Sequence, residues 1–135
     1  MTLIPCRMTH LVIDEQSEHQ SVHIGELIGG RRFPIGIGAQ EAIAIDRALK
    51  RSSFARPLTH DLCAALLDAT DTRLSEIRIL DLRDGVFFAE LRLRRADGTE
   101  VPVDCRPSDA LALLARRPGT PLLVADHVLN EAAAG

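Results

Sequence analysis

Apolar side chains recur at every second position in two separate blocks of this 135-residue chain, and elsewhere the spacing widens to that of a helix. Only a strand sends alternate side chains to one face, so the pattern commits these two blocks to strands joined by turns. In the first block, residues 3–13 and 20–28 read as strands, with Leu11 and Ile13, then Val22 and Ile24, sharing a face. The polar link Asp14 to His19 joins them. Gly29-Gly30 permits a tight turn, and Arg32 to Ile37 makes a third strand in which Pro34 predicts an edge or a bulge. In the second block Arg73 to Leu82, Val86 to Arg95 and Thr99 to Asp104 alternate, with turns at Asp84-Gly85 and Ala96-Asp97-Gly98.

Helical spacing predicts a first helix over 39–50, with Glu41 in its first turn and Ala42, Ile45 and Leu49 as its buried stripe. Arg51 to Pro57 reads as a basic connector. Thr59 is the expected N-cap of a second helix whose core stripe is Leu62, Leu66 and Ala69, with Asp61 facing the positive helix end. Pro107 opens a third helix that turns Leu111, Leu114 and Ala115 inward and stops at Pro118-Gly119. A short strand, Leu122 to Ala125, precedes a weak helix from Asp126 and a frayed alanine-rich tail at 132–134. Two antiparallel groups around a helical pair predict one α+β domain over 1–135, a mixed, largely antiparallel sheet of about six to seven strands with about three to four helices.

Composition excludes several functions. Hydrophobic residues at 46% and charged residues at 26% are ordinary for a globular domain, which sets aside disorder, collagen and coiled coil. Four Phe with no Trp or Tyr leave little π surface for stacking unpaired bases. A net charge of −3 disfavours tight, nonspecific hold on a duplex, although residues 31–60 carry six basic against two acidic groups. Cys6, Cys63 and Cys105 are too scattered for a disulfide framework or a zinc knuckle; they read as small core residues in a reducing cytoplasm. No apolar run approaches about 18 residues, and the first thirty residues lack a secretion-signal pattern, so no membrane association is expected. Walker loops, dinucleotide fingerprints and Ser-His-Asp motifs do not occur.

Four stretches carry a resemblance. Phe33-Pro34-Ile35-Gly36-Ile37-Gly38 followed by Glu41-Ala42, Arg56-Pro57-Leu58-Thr59-His60-Asp61-Leu62, Asp81-Leu82-Arg83-Asp84-Gly85, and Val103-Asp104-Cys105-Arg106-Pro107-Ser108-Asp109-Ala110 together resemble the bifunctional nuclease family, formerly a domain of unknown function, over about residues 8–130. Gly36 stands where that family usually carries a large side chain, often Trp. The resemblance implies hydrolysis of phosphodiester bonds in RNA or DNA.

Such hydrolysis needs an activated water, a group for the phosphoryl oxygens and an acid for the leaving oxygen. Asp81, Asp84, Asp104 and Asp109 are the candidate carboxylates, of which Asp81, Asp104 and Asp109 are candidate ligands for Mg²⁺ or Mn²⁺. Arg83, Arg106 and Ser108 are candidate substrate-binding groups, and His60 the candidate proton carrier, since an imidazole titrates near neutral pH. Plainer readings stand beside these. The strand period points Asp81 at the core beside Ile77 and Ile79, paired with Arg83, Arg106 or a metal; Asp109 can simply cap its helix; His60 can be a half-buried residue bonded to backbone. His19 and His23 on a strand lie too far apart to share an ion. The remaining alternative is a regulatory or protein-binding module without chemistry, a homo-oligomer paired through sheet edges.

Overall fold

In the computed structural model, which describes residues 1–51 and 55–133, a seven-stranded sheet is joined to four helices among the described residues. The strands are β1 (Leu3–Val12), β2 (Gln20–Glu26), β3 (Arg32–Ile37), β4 (Arg73–Arg83), β5 (Val86–Arg94), β6 (Glu100–Cys105) and β7 (Leu122–Ala125). The helices are α1 (Ala39–Leu49), α2 (Thr59–Ala69), α3 (Pro107–Arg116) and α4 (Asp126–Ala133). The fold is therefore α+β, as the alternation predicts. Part of the expected basic connector, residues 52–54, and the final two residues lie outside the described residues.

The two antiparallel groups form one sheet in the order β3-β2-β1-β7-β4-β5-β6. The splice is β7, four residues long, which pairs antiparallel with β1 and parallel with β4. Its Leu122, Val124 and Ala125 are buried, consistent with a central strand packed on its core face. Pro34 does sit on an edge strand, β3, where a missing donor is tolerated. Twist and curl bring the ends of the sheet together: the rings of Phe33 on β3 and Phe87 on β5 stack at 5.4 Å although four strands separate them. The concave side holds the core, with Val22, Ile24, Phe33, Ile77, Ile79, Leu111, Val124 and Leu129 sealed from solvent.

The outer side of β4, β5 and β6 is a ladder of ion pairs. Arg78 binds Glu76 at 2.9 Å, Arg92 reaches Glu90 and Glu100 at 3.4 Å, and Arg94 binds Glu100 at 2.9 Å. Three arginines are thereby neutralised, by glutamates of the same strand or, for Arg92 and Arg94, across to β6. No helix among the described residues is long and apolar enough to cross a membrane.

Three expectations are corrected. In α2 it is Ala64, with Cys63 and Leu67 beside it, that packs inward, whereas Leu62 and Leu66 are exposed and Ala69 with them; Leu49 of α1 is likewise exposed. A small residue at the contact lets α2 lie close against α3, and Leu62 and Leu66 fall on the far side. The N-cap of α2 is Leu58, not Thr59: the Leu58 N–H donates to the Asp61 carboxylate at 2.9 Å. The last helix is firmly docked, since Val128 and Leu129 are fully buried and Ala132 packs on the core. Arg31 fastens it further, donating to Asp126 at 2.9 Å and Asn130 at 2.7 Å while holding Glu26 at 2.7 Å.

The corrected stripe has a direct check. Leu111→Ala should lower unfolding free energy by about 2–5 kcal/mol, as for a fully buried leucine. Leu66→Ala should change it by less than about 0.5 kcal/mol in the same urea titration.

Candidate functional site

Three helices begin at one place. Glu41 stands in the first turn of α1, His60 in that of α2 and Asp109 in that of α3, and Arg106 is the residue from which α3 departs. Their side chains form a continuous relay. Arg106 Nη1 donates to Glu41 Oε1 at 3.1 Å, and its Nε and Nη2 donate to Asp109 Oδ2 and Oδ1 at 2.9 and 3.2 Å. Asp109 Oδ1 in turn lies 3.0 Å from His60 Nε2. These groups, with Arg47, Leu58 and Ile43, line an open groove of about 690 Å³.

Local sequence explains the placement. Gly38 precedes α1 and leaves room for the Glu41 carboxylate, which a Cβ there would push from its place. Pro107 takes the first position of α3, where a missing N–H costs nothing, and Arg106 stays extended at φ −74°, ψ 148°. The spacing of the helices is set by Arg116. Its side chain is only 8% exposed, and it donates to Asp61 of α2 at 2.7 Å, to the Ala44 carbonyl of α1 at 3.3 Å and to the Ala112 carbonyl of α3 at 2.9 Å. The Arg116 hydrogen bond, with the Leu58 N–H, holds the Asp61 carboxyl below its ordinary range. Asp61 is thus an interhelix tie as well as dipole compensation.

The relay fixes a protonation state. Burial by itself would raise the Asp109 carboxyl, but the hydrogen bonds from Arg106 and His60 outweigh it and keep that carboxyl below the usual carboxylate range. An ionised carboxylate only accepts, so the bond between the two is donated by the Nε2–H of His60. The His60 side chain is 15% exposed and the Arg106 side chain 65%. One group is held, the other reaches into solvent.

The remaining predicted site residues lie elsewhere. A bulge between Ile79 and Asp81 adds one residue to β4, so Asp81 faces Phe88 across the ladder and not Phe87. That insertion reverses the alternation and turns Asp81 out of the core. There it accepts from Arg83 Nε at 2.6 Å and from the Leu82 N–H at 2.9 Å, with His127 Nε2 at 3.4 Å. Arg83 also lies over the Phe88 ring, 4.9 Å from its centre. Of the cations expected beside Asp81 it is therefore Arg83, while Arg106 serves Glu41 and Asp109. Asp84 sits exposed in the hairpin turn with φ 50°. Asp104 is opposite Glu90 and exposed on the outer side of the sheet. Ser108 is buried at the start of α3, in a second cleft shared with Arg106 and Glu41.

Asp81, Asp104 and Asp109 thus occupy three separate surroundings. Among the described residues no three His, Cys, Asp or Glu side chains are grouped so as to hold a metal ion, and Asp109 already serves Arg106 and His60. The residues present do not fit the expected Mg²⁺ or Mn²⁺ ligand set. His23 stacks on His10 at 4.1 Å across β1 and β2 rather than meeting His19. Burial drives the Cys6 and Cys105 thiols up to about 11, as core residues would be. Sequence reasoning missed Glu41 as a site residue and Arg116 as its organiser. Glu41 stood in a recognised stretch, but its place in a first turn accounted for it.

The depressed Asp109 carboxyl contributes stability that is present above its unfolded pKa, near about 3.9, and lost as pH falls through its folded value. Asp109→Asn should therefore be less stable than the native chain at pH 7, and the gap should close below about pH 4 in paired urea titrations.

Comparison with known proteins gives relatives and a family. Two curated relatives from Mycobacterium tuberculosis, "Uncharacterized protein Rv1829" of strain H37Rv and "Uncharacterized protein MT1877" of strain CDC 1551 / Oshkosh, are each 41% identical over 119 residues, covering 87% of this chain and 70% of the relative. The family profile described as bifunctional nuclease domain matches residues 24–135, from the middle of β2 through α4, and so takes in the whole relay of Glu41, His60, Arg106 and Asp109. With that match running over most of its length, the chain belongs to the bifunctional nuclease domain family.

Proposed function

We propose that the protein hydrolyses phosphodiester bonds of RNA or DNA in the groove where α1, α2 and α3 begin. The observation that carries the reading is the relay from Glu41 through Arg106 and Asp109 to His60, exposed along one open groove. The family description supports the same chemistry. Each residue has a part. His60 Nδ1 takes the proton of the attacking water as its oxygen bonds to phosphorus and the bond from phosphorus to the leaving oxygen breaks. Asp109 stabilises the imidazolium that results, the leaving oxygen takes its proton from solvent in the open groove, and the imidazolium returns its own to solvent. Arg106 has given three of its five N–H groups to Asp109 and Glu41, and the others remain for phosphoryl oxygens. Glu41 holds that guanidinium stretched across the groove. Three positive helix ends supply local attraction for a polyanion that the net charge of −3 does not.

A second reading, a self-associating module without chemistry, is favoured by a different observation: Leu62 and Leu66 stand exposed on one face of α2. The edge pairing expected from the sequence is less suited to it, since both edge strands carry a proline, Pro34 in β3 and Pro102 in β6.

Cleavage of end-labelled single-stranded RNA and DNA, with added Mg²⁺ or Mn²⁺ and with EDTA, separates the two. His60→Ala should lower the rate by about 100-fold or more, the usual worth of a positioned acid–base group. Asp104→Ala should stay close to the native rate. Cleavage at the native rate by both His60→Ala and Arg106→Ala would mark a contaminant and leave the module. In that case Leu66→Glu should reduce the sedimentation coefficient of an assembled native form.

A further inference from the structure

Ser108 is a polar residue left without partners. It is 6% exposed, and among the described residues neither its hydroxyl nor its backbone N–H makes a hydrogen bond. The other free amides of the first turn are engaged, since the N–H groups of Asp109 and Ala110 both reach the Arg106 carbonyl, at 3.1 and 3.2 Å, and Pro107 has none. Neither donor is spent within the protein, so both are available to an acceptor that enters the space beside them. They belong to the positive end of a ten-residue helix.

Ser108 lines a cleft of about 370 Å³ between the end of β3 and the β4–β5 turn, at the small end for ligand sites. Gly36, Gly38 and Gly85 keep its walls low, and a Cβ on Gly36 or Gly85 would meet nothing within 4 Å. Arg106 stands at its rim. Glu41, the one carboxylate among its lining residues, is already bound by that guanidinium at 3.1 Å, and Asp109 turns its carboxylate to the groove on the other side. A tetrahedral oxyanion would find in the cleft a hydroxyl, a helix-end amide and a guanidinium.

We propose that the Ser108 cleft is a seat for a phosphate group. Because Arg106 lines both the cleft and the His60 groove, a strand being cut in the groove would place an adjoining or terminal phosphate in the seat. That last step rests on the nuclease reading, and the seat itself does not. Free phosphate is the other source of the same chemistry.

Amide resonances of the full chain, followed during titration with inorganic phosphate, test the seat. Ser108 and Gly85 should shift, and Ser108→Ala and Arg106→Ala should each weaken binding by about tenfold or more. Ser108→Ala should keep the native Tm, because the hydroxyl it removes bonds nothing in the protein. His60→Ala should bind phosphate as the native chain does while losing cleavage, so failure of the nuclease reading leaves this result intact. Terminally phosphorylated oligonucleotides binding more tightly than hydroxyl-ended ones identify the strand as the source; equal binding of the two, with inorganic phosphate still bound, identifies free phosphate. No shift at Ser108 with phosphate, or a shift that persists in both Ser108→Ala and Arg106→Ala, overturns the proposal.

Discussion

A guanidinium taken out of water must find acceptors on every side, and Arg116 finds them on three different helices. Asp61, the Ala44 carbonyl and the Ala112 carbonyl meet it in one small volume, so the distances among α1, α2 and α3 follow from its planar shape. Apolar packing alone would let these helices slide, since Ala42, Ala64 and Ala112 present little relief at their contacts. Directional bonds remove that freedom. The relay of Glu41, Arg106, Asp109 and His60 inherits its geometry from this tie, because α1 and α2 each carry one part of it and α3 two, all in or next to a first turn.

Arginine plays three parts in the molecule. Arg116 organises from within, Arg78, Arg92 and Arg94 are absorbed into a ladder with glutamates on the outer side of the sheet, and Arg106 spans the groove with most of its side chain in solvent. A count of basic residues weighs all of these alike. Their burial and partners distinguish them, and of these it is Arg106 that stands at the helix ends facing the groove.

Much of this was legible in the chain itself. The period of two located the strands of the two blocks, a short apolar run marked β7, and Pro34 announced an edge or a bulge, because these signals are local properties of the chain. What was not legible depends on partners distant in sequence. Nothing near Ile79 signals the bulge that turns Asp81 outward, and the cause is its pairing with β5. In α2, Leu62 to Leu67 is apolar at every position, so periodicity could not tell which side packs; the small side of the helix won. For the candidate site, the last recognised stretch held Arg106, Ser108 and Asp109 together and His60 lay in another. Their convergence with Glu41, and the exclusion of Asp81 and Asp104 from it, belong to tertiary structure.

The curl that stacks Phe33 on Phe87 gives the two sides of the Ser108 cleft a common origin. One jaw is the end of β3 and the other is the turn entering β5, and the hinge between them is the run of strands through β7. The sheet therefore works as a caliper whose opening is set by its total bend. A small change of twist at the four-residue splice, far from the jaws, is magnified across the intervening strands before it reaches them.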